Sequence, residues 1–157
     1  MAVVCSIANE FCLINYQNGN IIFYRQYPSI SQENACPIEN VCFCYNVQYI
    51  VFGHSENHLN IFEMKAMSLR SSITVHGDIL TKIIPSKKKS YEVYCSSSNG
   101  YIYIFDTRGM GTVVLREKCH HRGVIMDFFV TENENFVITS SINKTINLIK
   151  TVNIQDS

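Results

Sequence analysis

Thiol and imidazole side chains are the residues of this chain with the clearest chemical potential. Cys36, Cys42 and Cys44 lie close together in the sequence, and Cys119-His120-His121 form a second group. Thiolate and imidazole are ligands that suit zinc. Cys42 and Cys44, however, alternate with apolar residues, so both face one side of a predicted strand, as small core residues do. We therefore expect free thiols packed in the core and no metal site.

Catalytic side chains are the second possibility. A Ser or Cys nucleophile needs a base and an orienting group, and the sequence contains neither Gly-x-Ser-x-Gly nor His-Glu-x-x-His. His76 and Asp78 fall in a predicted loop, where we expect a bracing His and a solvated turn Asp. Asp127 lies in the apolar stretch 124–130, which predicts a buried carboxylate held by hydrogen-bond donors. An enzyme would need His76, His121 and Asp127 to meet in one cavity. We expect them to be dispersed, and we therefore predict no catalytic residue and no cofactor.

The elements that must position these side chains are β-strands. Apolar runs of about five to seven residues, rich in Val, Ile, Tyr and Phe, alternate with polar turns such as 17–20, and no stretch keeps helical spacing. The fold is therefore predicted to be all-β. The predicted strands of the last three repeats are 40–45, 48–54, 58–64, 71–75, 79–84, 91–97, 101–106, 112–118, 124–130, 135–141 and 145–151.

An internal repeat organises these strands. Four segments share a polar turn, alternating aliphatic residues and a large apolar anchor, and the anchors are Tyr24, Phe62, Phe105 and Ile149. The anchors are spaced by 38, 43 and 44 residues, close to the period of about 40–45 residues known for one class of propeller repeat. The sequence predicts one domain over 1–157, with repeats at about 1–36, 37–76, 77–119 and 120–157.

The third repeat carries a family resemblance. The segment 97–106, Ser-Ser-Asn-Gly-Tyr-Ile-Tyr-Ile-Phe-Asp, resembles the strand, Asp-Gly turn and Trp-Asp ending of WD repeats, with Phe105 in place of tryptophan. His76-Gly77 and 120–123 resemble the Gly-His signature of that family. The resemblance implies an incomplete β-propeller of about four WD-type blades, each a four-stranded antiparallel sheet, in an open arc. Only His76, Ser97, Asn99 and Phe105 of this chain correspond to the residues that brace a blade in that family. Because Phe105 has no N–H to donate, the resemblance predicts blades that are less rigid than usual.

The ends of the predicted arc bear on its partners. The segment Ile30 to Cys36, where the outer strand of the first repeat would lie, is polar and precedes Pro37, which cannot donate to a strand ladder. The fourth repeat has sequence for three strands. An arc of this kind leaves unpaired edges and open faces, so we expect completion by another chain or by further sequence of a longer protein.

Charge and the first residues narrow the function classes. Thirteen Lys and Arg balance thirteen Asp and Glu, so no overall field attracts nucleic acid or an anionic membrane. Residues 1–7 do not form a signal peptide, and polar residues interrupt every apolar run before it could span a bilayer. We expect an intracellular protein, cytoplasmic or nuclear.

The function implied by the resemblance is a scaffold for protein–protein contacts made by loops on a rigid frame. Two alternatives stay open. The box Phe105-Asp106-Thr107-Arg108 resembles the segment by which some WD proteins dock on the adaptor of cullin-type ubiquitin ligases, and a face built on Lys82, Lys87-Lys88-Lys89 and Arg108 could bind nucleic acid. The predicted partner-binding residues are His76, Asp78, Asn99, Arg108, His121, Arg122 and Asn143.

Overall fold

The structure is a computed structural model, and it describes residues 2–5, 10–26, 38–44, 46, 48–54, 57–75 and 77–151. Within these ranges the chain forms β-strands and no α-helix, as the alternating apolar pattern predicts. The strands are β1 (Ala2–Cys5), β2 (Glu10–Ile14), β3 (Ile21–Gln26), β4 (Ile38–Cys44), β5 (Tyr49–His54), β6 (His58–Glu63), β7 (Ser68–Thr74), β8 (Leu80–Pro85), β9 (Glu92–Ser97), β10 (Tyr101–Asp106), β11 (Thr112–Lys118), β12 (Ile125–Val130), β13 (Phe136–Ser141) and β14 (Ile146–Lys150).

The strands form four antiparallel sheets in chain order. The first sheet is β1–β3, the second β4–β7, the third β8–β11 and the fourth β12–β14. Each strand pairs with its neighbour in sequence, so the predicted strands of the last three repeats are confirmed to within a few residues. The doubtful outer strand of the first repeat, 30–36, lies outside the described residues.

The sheets stack face to face in one row. Their first strands, β1, β4, β8 and β12, contact one another in that order, and an apolar layer fills each gap between sheets. Phe11 and Leu13 of the first sheet meet Phe52 and Phe62 of the second, and the ring centroids of Phe11 and Phe62 are 5.1 Å apart. Similar layers lie between the second and third sheets and between the third and fourth.

The repeat anchors face the preceding sheet, and the residue before each anchor faces the following one. Phe62, Phe105 and Ile149 lie in the layers shared with the preceding sheet, because side chains alternate between the faces of a strand. Ile61 and Ile104, one residue earlier, are 0% and 5% exposed beneath the following sheet.

The two ends of the row show what this alternation leaves uncovered. Tyr24, the anchor of the first sheet, is 57% exposed, and Leu148, which corresponds to Ile61 and Ile104, is 64% exposed. Phe129, Ile138 and Leu148 lie side by side across β12, β13 and β14. The described sheets therefore form an open arc, as predicted. No helix in the described part of the chain has the length and apolar character to cross a membrane.

Candidate functional site

The loops that connect the strands of each sheet lie at the two ends of the strands, and the predicted site residues divide between these two ends. In the third sheet, Leu80 pairs with Ser97 at one end, while Asp106 pairs with Glu92 and Thr112 at the other. We call the first the Asn99 edge, after the β9–β10 turn, and the second the Arg108 edge, after the β10–β11 loop. The Asn99 edge brings together Asp78, Asn99, His121, Arg122 and Asn143. Arg108 lies on the opposite edge, and His76 falls outside the described residues.

Asp78 is a buried structural residue, which corrects its interpretation as a solvated turn residue, and its role in partner binding remains a prediction. Its carboxylate accepts hydrogen bonds from Ser98 Oγ at 3.2 Å, the Asn99 N–H at 3.1 Å and Tyr103 Oη at 2.8 Å. Burial and this bond raise the pKa of Tyr103 to about 12, so its hydroxyl stays a donor. The network ties the link before the third sheet to the β9–β10 turn and to β10. It therefore braces this end of the third sheet.

His121 braces the fourth sheet in the same way. Its Nε2 lies 2.8 Å from Thr139 Oγ1 and its Nδ1 lies 2.7 Å from Thr145 Oγ1. The Thr145 hydroxyl donates in turn to Asn143 Oδ1 at 2.7 Å. Burial lowers the pKa of His121, so the imidazole is neutral at physiological pH. Both ring nitrogens are occupied inside the sheet, and of the residues predicted at this corner Asn143 and Arg122 are the exposed ones.

Asp127 differs from the sequence expectation in its burial. Its side chain is 64% exposed and forms an ion pair with Lys82, and it accepts the Phe128 N–H at 2.8 Å. The Lys82 hydrogen bond lowers the pKa of Asp127. A β-bulge between Ile125 and Asp127 interrupts the strand alternation and turns the carboxylate outward. The predicted hydrogen-bond satisfaction is confirmed, and the predicted burial is wrong.

A cationic groove opens on the Asn99 edge between the β9–β10 turn, the end of β11 and the link 119–124. Its volume is about 410 Å³. The groove unites predicted residues with others that the sequence analysis missed. The lining residues are Ser98, Asn99, Tyr101, Arg116, Lys118, His121, Arg122 and Gly123.

Cation–π contacts with Tyr101 hold in place two groove residues that the sequence analysis missed, Arg116 and Lys118. The Arg116 guanidinium lies 4.0 Å from the centroid of the Tyr101 ring, and Lys118 Nζ lies 4.4 Å from it. Arg116 and Lys118 are two residues apart on β11 and pair across the sheet with Tyr103 and Tyr101. The alternation Arg-Glu-Lys at 116–118 is the only sign of these two groove residues in the sequence. The strand register places both cations beside Tyr101 and Tyr103.

The Arg108 edge holds its cations in ion pairs. Arg108 Nε lies 3.0 Å from Asp106, and its guanidinium stacks 3.6 Å from the centroid of the Tyr91 ring. This hydrogen bond lowers the pKa of Asp106. Arg108, the residue of the adaptor-docking box, is therefore engaged within its own sheet.

Two lysines of the run on the same edge are also paired with carboxylates. Lys89 Nζ lies 3.0 Å from Glu92 Oε1 and Lys87 Nζ lies 3.8 Å from Glu132 Oε1. The Lys88 backbone N–H donates to Glu134 at 3.2 Å, and the Lys88 ammonium has no ion pair with a described carboxylate. Much of the positive charge of this run is offset locally, which weakens it as a nucleic-acid site.

Five cysteines are free thiols: Cys12, Cys42, Cys44, Cys95 and Cys119. Cys44 lies in the layer between the second and third sheets and Cys42 packs against it, as the sequence predicts. Burial raises the pKa of Cys44 to about 11 and that of Cys119 to about 12. Among the described His, Cys, Asp and Glu residues, no group of three is placed to hold a metal ion.

The sheet order and stacking define the class of protein: a β-propeller built from antiparallel blades. The chain is similar to the crystal structure of Saccharomyces cerevisiae Sqt1, a WD-repeat propeller. The TM-score is 0.77 at 18% identity, over 93% of this chain and 40% of that chain. The chain thus spans well under half of the solved propeller, and the likeness shows the fold. No family model and no curated protein matches the sequence.

Proposed function

We propose that this chain is a WD-repeat-type scaffold for protein–protein contacts, and that one contact adds a sheet from a second copy to its arc. The observation that carries the proposal is the uncovered apolar face of the fourth sheet. Contiguous apolar patches of this kind mark interaction sites, and their burial contributes about 25 cal/mol per Å². The fourth-sheet face consists of Phe129, Ile138, Ile146 and Leu148.

The chemistry of this face matches a β-sheet as its occupant. Leu148 holds the position that Ile61 and Ile104 hold in their sheets, and those two side chains are buried by the anchor face of the next sheet. The same position in the repeat is thus covered twice within the chain by an antiparallel sheet. We therefore propose that the fourth-sheet face is covered by the anchor-bearing face of another sheet.

A second copy supplies such an anchor face. Tyr24 is exposed on the first sheet at the position where Phe62 and Phe105 are buried, and Ile22 is exposed beside it. Leu148 of one copy would then pack near Tyr24 of the other, a head-to-tail contact that can close into a ring. Two copies contribute eight sheets, within the range of about four to eight blades of closed propellers.

Size-exclusion chromatography with light scattering tests this proposal on the full chain. We expect the mass of two copies at micromolar concentration. Leu148→Glu places a charge on the fourth-sheet face and should give the mass of one copy. Met110→Glu, which changes an exposed residue of the β10–β11 loop, should leave the two-copy mass unchanged. Circular dichroism confirms that each variant is folded.

Mixing variants distinguishes head-to-tail pairing from general stickiness. Tyr24→Glu should also give single copies, because it changes the opposite face. A mixture of the Tyr24→Glu and Leu148→Glu chains retains one intact contact and should recover the two-copy mass in part. A wild-type mass of one copy at all concentrations, or a Met110→Glu effect equal to that of Leu148→Glu, would overturn the proposal.

The other functions considered from the sequence have no specific support. Arg108 is bound to Asp106, Lys87 and Lys89 pair with carboxylates, and Asp127 is not among the residues that line the groove with His121. Membership of the WD-repeat family and an intracellular location remain predictions.

A further inference from the structure

The groove on the Asn99 edge gathers three cations that have no ion pair with a described carboxylate, and the other described lysines without such a pair do not line it: Lys65, Lys88, Lys144 and Lys150. Elsewhere, five described cations form ion pairs with carboxylates: Arg70, Lys82, Lys87, Lys89 and Arg108. In the described parts of the chain, Arg116, Lys118 and Arg122 have no such pair, and all three line one cavity. A concave surface lined by one sign of charge concentrates the potential felt by a ligand.

The Arg116 guanidinium is held ready for a carboxylate. It stacks at 4.0 Å on the Tyr101 ring and also interacts with the Tyr103 hydroxyl, and a guanidinium has five N–H donors, so others remain for a ligand. The planar fork of these donors fits a carboxylate in two parallel hydrogen bonds. Stacking also limits the side-chain freedom that binding would otherwise remove.

Lys118 and Arg122 place further donors around the same cavity. Lys118 Nζ donates to the Asn99 carbonyl oxygen at 2.8 Å, which leaves two of its three hydrogens for a ligand. Arg122 is exposed and has no hydrogen bond to another described residue. The Asp78 carboxylate, which is hydrogen-bonded to the groove residues Ser98 and Asn99, is buried and already accepts three hydrogen bonds.

We infer that this groove binds an acidic, extended segment of a partner protein. A glutamate or aspartate carboxylate pairs with Arg116, and neighbouring carboxylates meet Lys118 and Arg122. The cavity of about 410 Å³ is of ligand-pocket size. Three clustered cations on a chain with no net charge suit a short acidic peptide better than nucleic acid, which requires a longer cationic track. The inference rests on the scaffold function but not on pairing of copies.

Fluorescence anisotropy with a labelled oligoglutamate peptide tests the site. We expect saturable binding at low salt that weakens as salt rises to about 0.2 M. Arg122→Glu should weaken binding about tenfold or more. Arg116→Lys keeps the charge but removes the bidentate fork, and should weaken binding about threefold or more. Lys88→Glu makes the same charge change as Arg122→Glu on the Arg108 edge and should stay within about twofold of wild type.

Each opposing outcome overturns the inference. These outcomes are an absence of saturable binding, an equal loss in Lys88→Glu and Arg122→Glu, and tighter binding of a short oligothymidylate than of the peptide. The experiment is separable from the mass measurement, because Leu148→Glu leaves the groove intact. That variant should bind the peptide as the wild type does even where it no longer pairs.

Discussion

The Tyr103 hydroxyl donates a 2.8 Å hydrogen bond to Asp78 Oδ2 across 25 positions of sequence. Both side chains are buried. The bond joins the link that precedes the third sheet to the middle strand β10, so it secures the turn on which the cationic groove is built. Since a buried carboxylate requires donors, this pair should contribute measurably to stability.

Tyr103→Phe removes one donor from a buried carboxylate. We expect the free energy of unfolding to fall by about 1–3 kcal/mol, measured by urea denaturation. Tyr101→Phe is the matched control, because that hydroxyl has no hydrogen bond to another described residue, and it should change stability by less than about 0.5 kcal/mol. Equal effects of the two variants would contradict the assigned role of Tyr103.

His121 should make stability dependent on pH. Burial lowers its folded-state pKa below the ordinary value of 6.5, so the unfolded chain binds more protons as the pH falls through that value. The free energy of unfolding therefore decreases on acidification below about 6.5 and levels off below the folded-state pKa. We expect the melting temperature to fall in this window, and His121→Gln to reduce the fall more than His120→Gln, which changes an exposed imidazole.

Glu134 should stabilise the Arg108 edge. Its carboxylate accepts hydrogen bonds from Ser86 Oγ at 2.9 Å and the Lys88 N–H at 3.2 Å, and it links loops of the third and fourth sheets. Glu134→Ala should lower the free energy of unfolding by about 1–2 kcal/mol. Glu132→Ala removes an exposed carboxylate with one ion pair at 3.8 Å and should cost less than about 0.5 kcal/mol. A larger cost for Glu132→Ala would argue against this linkage.

Gly111 should be more sensitive to substitution than Gly109. Both have positive φ, at +79° and +59°, but a Cβ at Gly111 would lie 2.6 Å from Ile73 Cδ1, whereas one at Gly109 meets no atom within 4 Å. Gly109→Ala should cost about 1–2 kcal/mol for the left-handed backbone alone. Gly111→Ala adds overpacking against the second sheet, for a total of about 2–4 kcal/mol. Thermal denaturation of the pair gives the difference directly.

The strands and their order could be predicted because the information is local. Alternation in the segment 101–106 specifies a strand with Ile104 and Phe105 on opposite faces, and the repeat period places the anchors Phe62, Phe105 and Ile149 in the third strand of successive sheets. The same alternation predicts the face of the sheet on which Tyr24 and Leu148 lie. It does not predict that they are exposed, because exposure depends on whether another sheet covers that face.

The environments of the carboxylates could not be predicted because their partners are distant in sequence. Asp78 is buried by Tyr103 and Ser98, and Asp127 is exposed through a β-bulge and paired with Lys82. A loop position suggested solvent for the first and an apolar run suggested burial for the second. Neither pattern carries the register or the bulge that decides the outcome.

The sequence by itself determined an all-β chain of four repeats, since strand alternation and turn residues are local properties. It also placed Asn99, His121, Arg122 and Asn143 in turns or links at sheet ends. Only the tertiary structure decided that His121 is an internal brace, that Arg116 and Lys118 share a groove with Arg122, and that Leu148 is uncovered. The reason is physical: hydrogen-bond partners, shared cavities and buried faces arise from strand register and sheet stacking, which bring together residues that the chain keeps far apart.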